Sequence, residues 1–179
     1  MIRKIIAHGN PVLKQEGEWI EEGHENLKEI VADMYDTMKG ANGIGLAAQQ
    51  IGLPLKLFVL NLSHHTGLED YKKAFLNSEI IEESEEEFSF EEGCLSFPGI
   101  HFNVSRSKKI KVLYQDENFV EHTEWLEGIQ AIAFQHEHDH TEGIVFLDHN
   151  PKRRMLLKKK LTQISTADIA VHYPMKFNV

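Results

Sequence analysis

The sequence predicts an α+β fold in which antiparallel β-sheets pack around a central helix. Three observations predict it. Two apolar runs of strand length, Lys56 to Leu62 and Ala74 to Ile81, flank a polar segment holding His64, His65 and Gly67. Ile110, Val112 and Tyr114 alternate with Lys109, Lys111 and Leu113 before Asp116-Glu117-Asn118 turns the chain toward Phe119 to His122, which reads as a hairpin. Apolar residues spaced by three and four mark helices on either side of these strands. With 179 residues, 41% hydrophobic and 26% charged, the chain can bury a core, and its length favours one domain, 1–179. No internal repeat or low-complexity linker supports a second.

Composition narrows the function. The chain carries 19 Lys+Arg against 28 Asp+Glu, a formal charge of −9. That balance argues against a wholesale nucleic-acid binder, because phosphate affinity depends on cationic side chains. Cys94 is the one cysteine, which excludes an intramolecular disulfide framework and fits a reducing compartment, so the cytoplasm is expected. The opening Met1 to Pro11 lacks the apolar run of a secretory signal. No stretch approaches the ~18 apolar residues of a membrane span; the longest candidate, Ile51 to Leu62, is interrupted by Pro54 and Lys56.

The first helix is expected from Asn26 to Lys39, with Leu27, Ile30, Val31, Met34 and Met38 on one face and Gly40 as a stop. Gly40 to Gln50 is too glycine-rich at its start for a helix and reads as a loop that exposes backbone. The seven glutamates between Glu82 and Glu92 read as a solvated acidic edge, since no calcium-loop pattern accompanies them.

Thr123 is a candidate N-cap for the central helix, with Glu124 and Glu127 favourable at the positive end of its dipole. Its stripe of Leu126, Ile129 and Ala133 continues by three and then four residues onto His136 and His140, and Gly143 ends it. A final helix is signalled by Asn150 as cap and Pro151 at the first position, running to about Leu161. Its Lys152, Arg153, Arg154, Lys158, Lys159 and Lys160 form the concentrated positive patch. A solvated face is the ordinary account of it, and an anionic partner such as RNA the alternative. Asp168 to Phe177 reads as an edge strand that tolerates Pro174.

His136-Glu137-His138-Asp139-His140 contains HExxH, whose histidines lie one helical turn apart and can grip one metal ion. Glu137, about 100° round the helix from His136, can reach water on that ion. His138 faces the other way and is expected at the surface. A catalytic site needs a third ligand and an open fourth position. The pattern HExxHxxGxxH finds Gly143 but places Phe146 where its last histidine belongs, and after Glu142 the acids are Asp148 and Asp168 alone. Ordinary metalloprotease patterns therefore fit poorly, leaving Cys94 as the candidate. A lone cysteine is usually a small buried hydrophobe, but Gly93 and Pro98 give Cys94 a shaped loop, and it would complete a Cys/His/His set. A Cys/His nucleophile is the rival and leaves Glu137 without a role.

Three segments together resemble the peptide deformylases: Gly43 to Gln50, Glu92-Gly93-Cys94-Leu95-Ser96, and Gln135 to His140, in the family's order and at family-like separations. Gly9-Asn10-Pro11-Val12-Leu13 is similar to the family's start, and the tail is similar to its strand-ended subclass. The resemblance implies removal of the formyl group from the N-terminal formyl-methionine of nascent polypeptides, releasing formate. It implies Cys94, His136 and His140 as metal ligands, the two histidines on a central metal-binding helix, with Glu137 as general base and acid, Gln50 and the Leu95 N–H as oxyanion donors, and Gly45 as a backbone contact. Matching the glycines to the family pattern selects Gln50 over Gln49. The methionine slot is expected to be lined by Ile44, Phe90, Ile129, Ile132 and Ala133, and Glu92 and Arg106 resemble a family pair that braces the metal loop. His101 stands where many members carry arginine, seven residues after the cysteine. By resemblance the ion is Fe(II); Zn, Ni or Co also suit one thiolate and two imidazoles. N-formyl-methionyl nascent peptides are the implied partners, and the basic helix 151–161 is the candidate surface for docking on the ribosome. The alternatives are an HExxH metallopeptidase acting on unformylated peptides and a non-catalytic metal-binding, ribosome-associated protein.

Overall fold

The structure, a computed structural model, describes residues 1–178; Val179, the last residue of the expected domain, lies outside the described residues. Strand β1 (Ile5–Ile6) is followed by a 3₁₀ turn, Pro11–Lys14, and helix α1 (Leu27–Gly40). Next come β2 (Gly45–Ala47), a 3₁₀ turn Ala48–Ile51, β3 (Leu57–Asn61), β4 (Lys72–Glu83), β5 (Glu87–Gly93), β6 (His101–Ser107), β7 (Lys109–Gln115) and β8 (Glu121–Glu127). Helix α2 (Ile129–Thr141), a 3₁₀ turn Phe146–His149, α3 (Pro151–Leu156), α4 (Lys158–Ser165) and β9 (Met175–Lys176) complete the order.

Five strands form one antiparallel sheet in the order β2-β3-β4-β7-β8. Strand β3 and residues 74–78 of β4 are buried on both faces, which is why β3 and the start of β4 read as apolar runs; from Glu79 onward β4 is mostly exposed. Leu57, Val59, Ala74 and Leu76 share a core with α1 residues Val31, Met34 and Met38. Phe58, Leu60 and Phe75 point the other way, toward Ala131, Ala133 and Phe134 of α2. The Phe134 ring meets Phe58 and Phe75 edge-on, both at 5.1 Å between centroids, an arrangement worth ~0.5–1.5 kcal/mol per pair beyond area burial. Helix α2 is thereby fixed against the sheet at its middle, just before the two histidines.

A second antiparallel ribbon pairs β5 with β6 and carries the Cys94 loop at its end. The termini close the molecule through a parallel β1–β9 pair.

Several elements differ from the sequence-based expectation. Thr123 is not a helix cap: it lies within β8, and α2 starts only after Gly128, whose φ of 59° and ψ of −133° turn a corner that a side chain would oppose. Leu126 therefore belongs to a strand and meets α2 from the sheet. The expected 151–161 helix is two helices, α3 and α4, separated at Leu157. The expected tail strand shrinks to Met175–Lys176, beside rather than including Pro174. Glu92 leaves the solvated acidic edge, being 5% exposed. No helix among the described residues is long and apolar enough to cross a membrane.

Candidate active site

Helix α2 delivers His136 and His140 one turn apart, with ring centroids 5.3 Å from each other. Cys94, on the connection after β5, brings Sγ to 3.3 Å from His140 Nε2. One ligand atom from each of Cys94, His136 and His140 lies within 4.8 Å of the other two, and all three residues are buried. Thiolate sulfur and imidazole nitrogen converging at this spacing fit a single tetrahedral-type cation with a place left for water or substrate. Burial pushes His140 down to about 3, which keeps it neutral at pH 7 and so able to donate a lone pair.

His136 is aimed from behind. Its Nδ1 lies 2.8 Å from Glu92 Oε2, which leaves Nε2 for the centre. Arg106 grips the same carboxylate with two bonds, Nε to Oε1 at 2.8 Å and Nη2 to Oε2 at 3.0 Å, and donates Nη1 to Asp139 Oδ2 at 2.6 Å. Burial alone would raise Glu92, but the bonds from His136 and Arg106 outweigh it and hold the carboxylate down to about 2. The buried arginine thus ties β6 to both β5 and α2.

Glu137 lines the same cavity. Burial raises its pKa to about 7, and its Oε2 is buried without a protein partner among the described residues. Gly45 runs against this carboxyl: a Cβ built there would fall 2.8 Å from Glu137 Cδ. The Gln50 side chain is oriented by its own loop. Its Oε1 accepts from Ala47 N at 2.8 Å, which turns Nε2 toward Ser96 Oγ at 3.4 Å and Cys94 Sγ at 3.5 Å. Gln49 is fully buried and lies away from the cavity.

The cavity has a volume of about 430 Å³. Ile44, Phe90, Ile129, Ile132 and Ala133 line it, as do Gly45, Gln50, Leu95, Cys94 and His136, so the expected side chains converge on one space; His140 sits behind it. His101 also reaches the wall, its ring packed over Gly93. His138 stays out of the site but is half-buried rather than exposed, stacked on Phe134 at 5.8 Å with Nδ1 3.2 Å from Ser78 Oγ. Sequence reasoning missed Asp139 and His149, which extend the Arg106 network, and Tyr173, which reaches the site from the tail.

The model of the family described as polypeptide deformylase matches residues 2–155. The chain belongs to the polypeptide deformylase family. Peptide deformylases of Christiangramia forsetii and Cytophaga hutchinsonii are each 42% identical to it, covering 99% and 100% of this chain and 96% and 99% of their own lengths. A crystal structure of a peptide deformylase from Legionella pneumophila matches with a TM-score of 0.84 at 35% identity, over 94% of this chain and 98% of that one. One from Plasmodium falciparum gives 0.85 at 33% identity, over 92% and 96%. Polypeptide deformylases are metalloenzymes, and the Cys94/His136/His140 cluster has the composition and spacing that could hold a metal ion. The metallopeptidase and adaptor alternatives are not favoured.

Proposed function

We propose that this chain hydrolyses the formyl group from the N-terminal formyl-methionine of newly made polypeptides, releasing formate, with one divalent ion held by Cys94, His136 and His140. The observation that carries this reading is that those three donors lie within 4.8 Å of one another, beside Gln50 Nε2 and a cavity that the buried Glu137 carboxyl lines. The donor set suits iron(II), zinc, nickel or cobalt. Family resemblance selects iron(II), with zinc as a less active occupant.

When bound, the ion supplies Lewis acidity that lowers the pKa of water toward ~7 and polarises a carbonyl. Glu137 handles the proton: poised at about 7, its carboxylate takes one from the attacking water and returns it to the departing amine. Gln50 Nε2 and the Leu95 N–H donate to the formyl oxygen as it becomes negative, adding no competing charge. Among the described residues the Leu95 N–H has no protein acceptor, which leaves it available for this role. Gly45 offers backbone to the substrate, and Ile44, Phe90, Ile129, Ile132 and Ala133 form the apolar slot for the methionine side chain.

Residues 1–179 act as one domain in this proposal, working in the cytoplasm on nascent chains. Docking on the ribosome through 151–161 is supported by the exposed Lys152, Arg153, Lys158 and Lys159 beside Met155 and Leu156. The other two cations of the patch are engaged, Arg154 with Asp148 and Lys160 with the Gly99 carbonyl.

The test offers formyl-Met-Ala-Ser beside Met-Ala-Ser and follows products by mass spectrometry. Formate release from the first, with peptide bonds intact in both, is expected; cleavage of Met-Ala-Ser would support a metallopeptidase instead. Glu137→Gln should abolish nearly all turnover while metal content stays at one equivalent. Full activity in that variant would remove Glu137 from the chemistry.

A further inference from the structure

The family match ends at residue 155, yet the cavity wall continues beyond it. Ala170, Val171, His172 and Tyr173, from the segment after α4, close one side. That segment is anchored just past the cavity. Pro174 O accepts from Ile5 N at 2.9 Å, Lys176 O accepts from Ala7 N at 2.9 Å, and Asn178 Nδ2 donates to Gly9 O at 2.8 Å.

Tyr173 sits between anchor and cavity, 8% exposed, and its hydroxyl donates to the Leu95 carbonyl at 2.8 Å. The next carbonyl of the same loop, Ser96 O, accepts from His8 N at 2.9 Å. Two consecutive carbonyls beside Cys94 are therefore held by the paired terminal segments. The Leu95 N–H and carbonyl belong to the two peptide planes that flank one Cα. A bond that holds the carbonyl restricts the rotations by which the N–H could turn away from the cavity.

We propose that Tyr173 is a positioning residue: its phenol holds the Leu95 backbone so that the Leu95 N–H faces the reacting oxygen. The proposal rests on the deformylase reading, and it assigns a catalytic consequence to a tail beyond residues 2–155, the span of the family model. If Tyr173 served only as core packing, its ring would matter and its hydroxyl would not.

Tyr173→Phe separates the two, since it keeps the ring and deletes the donor. Steady-state kinetics on formyl-Met-Ala-Ser should show kcat lowered about tenfold, a fraction of the ~10²–10³ that removing an oxyanion donor outright costs. KM should stay within about twofold, with metal content and Tm as in the parent chain. In the zinc-loaded variant the 15N order parameter of the Leu95 amide should fall below the parent's. A kcat equal to the parent's, or a loss of kcat matched by an equal loss of bound metal, would overturn the proposal. If the parent chain released no formate, the deformylase reading would fall. The Leu95 order parameter would still decide the role of the phenol, because an unchanged value in Tyr173→Phe overturns it whatever the activity.

Discussion

Gly45 leaves room for Glu137 because it has no side chain. A Cβ there would meet the Glu137 carboxyl, whose Cδ would lie only 2.8 Å away, and the helix that carries Glu137 is packed too tightly to retreat. Gly45→Ala should therefore displace the carboxyl by a large fraction of an ångström, and a misplacement of that order can cost ~10² in rate. The expected result is a kcat/KM on formyl-Met-Ala-Ser lower by about two orders of magnitude, with one equivalent of metal still bound. Unchanged kinetics would mean that Glu137 does not need its present position. At this scale the sequence was most informative where chemistry imposes spacing: His136, Glu137 and His140 are legible as a set because one helical turn separates the two rings. Glu92 was harder to read. Six neighbouring glutamates conceal it, and only its buried partners, Arg106 and His136, distinguish it from them.

The β5–β6 ribbon and α2 are joined by Arg106, whose side chain is 3% exposed between the Glu92 and Asp139 carboxylates. Arg106→Leu leaves Glu92 buried without its charge partner, and breaking a buried pair in this way costs about 3–5 kcal/mol. Urea unfolding should show that loss; a change under about 1 kcal/mol would mean the pair is not a structural tie. The β7–β8 hairpin has its own tie. Burial alone would raise Asp116, yet His122 and the N–H groups of Asn118 and Val120 outweigh it and hold the carboxyl below its ordinary value. The folded chain thus binds that proton less readily than the unfolded chain. The stabilisation is complete above the unfolded pKa of ~3.9 and is lost as pH falls through the lower folded value. Asp116→Asn should lower Tm near neutral pH, with the gap from the parent closing on acidification; a gap that persists in acid would contradict the assignment. Several element boundaries were obscured for physical reasons. Leu126 stands three residues before Ile129, so an inward strand residue imitates helical spacing, while the corner at Gly128 is a backbone property that periodicity does not report. The β6 strand did carry a period-two signal, in the buried Phe102, Val104 and Arg106, but a buried arginine in the third position disguises it.

Across the whole molecule, the centre of the sheet is buried between α1 on one face and α2 on the other, and the candidate centre lies where α2 meets the end of the β5–β6 ribbon. Local patterns revealed α1, the sheet's central strands and the helix with paired histidines. They did not reveal how the tail returns. Residues 168–177 read only as an edge strand, whereas β9 spans two residues and the preceding stretch forms cavity wall, held by partners more than 70 positions away in sequence. Bringing Cys94 to α2 is likewise a tertiary event, and the proposed function depends on it. X-ray absorption on the chain loaded with one equivalent of zinc measures that convergence directly. The expected spectrum has one sulfur at ~2.3 Å and two imidazole nitrogens at ~2.0–2.1 Å; a metal shell without sulfur would contradict the Cys94, His136 and His140 centre.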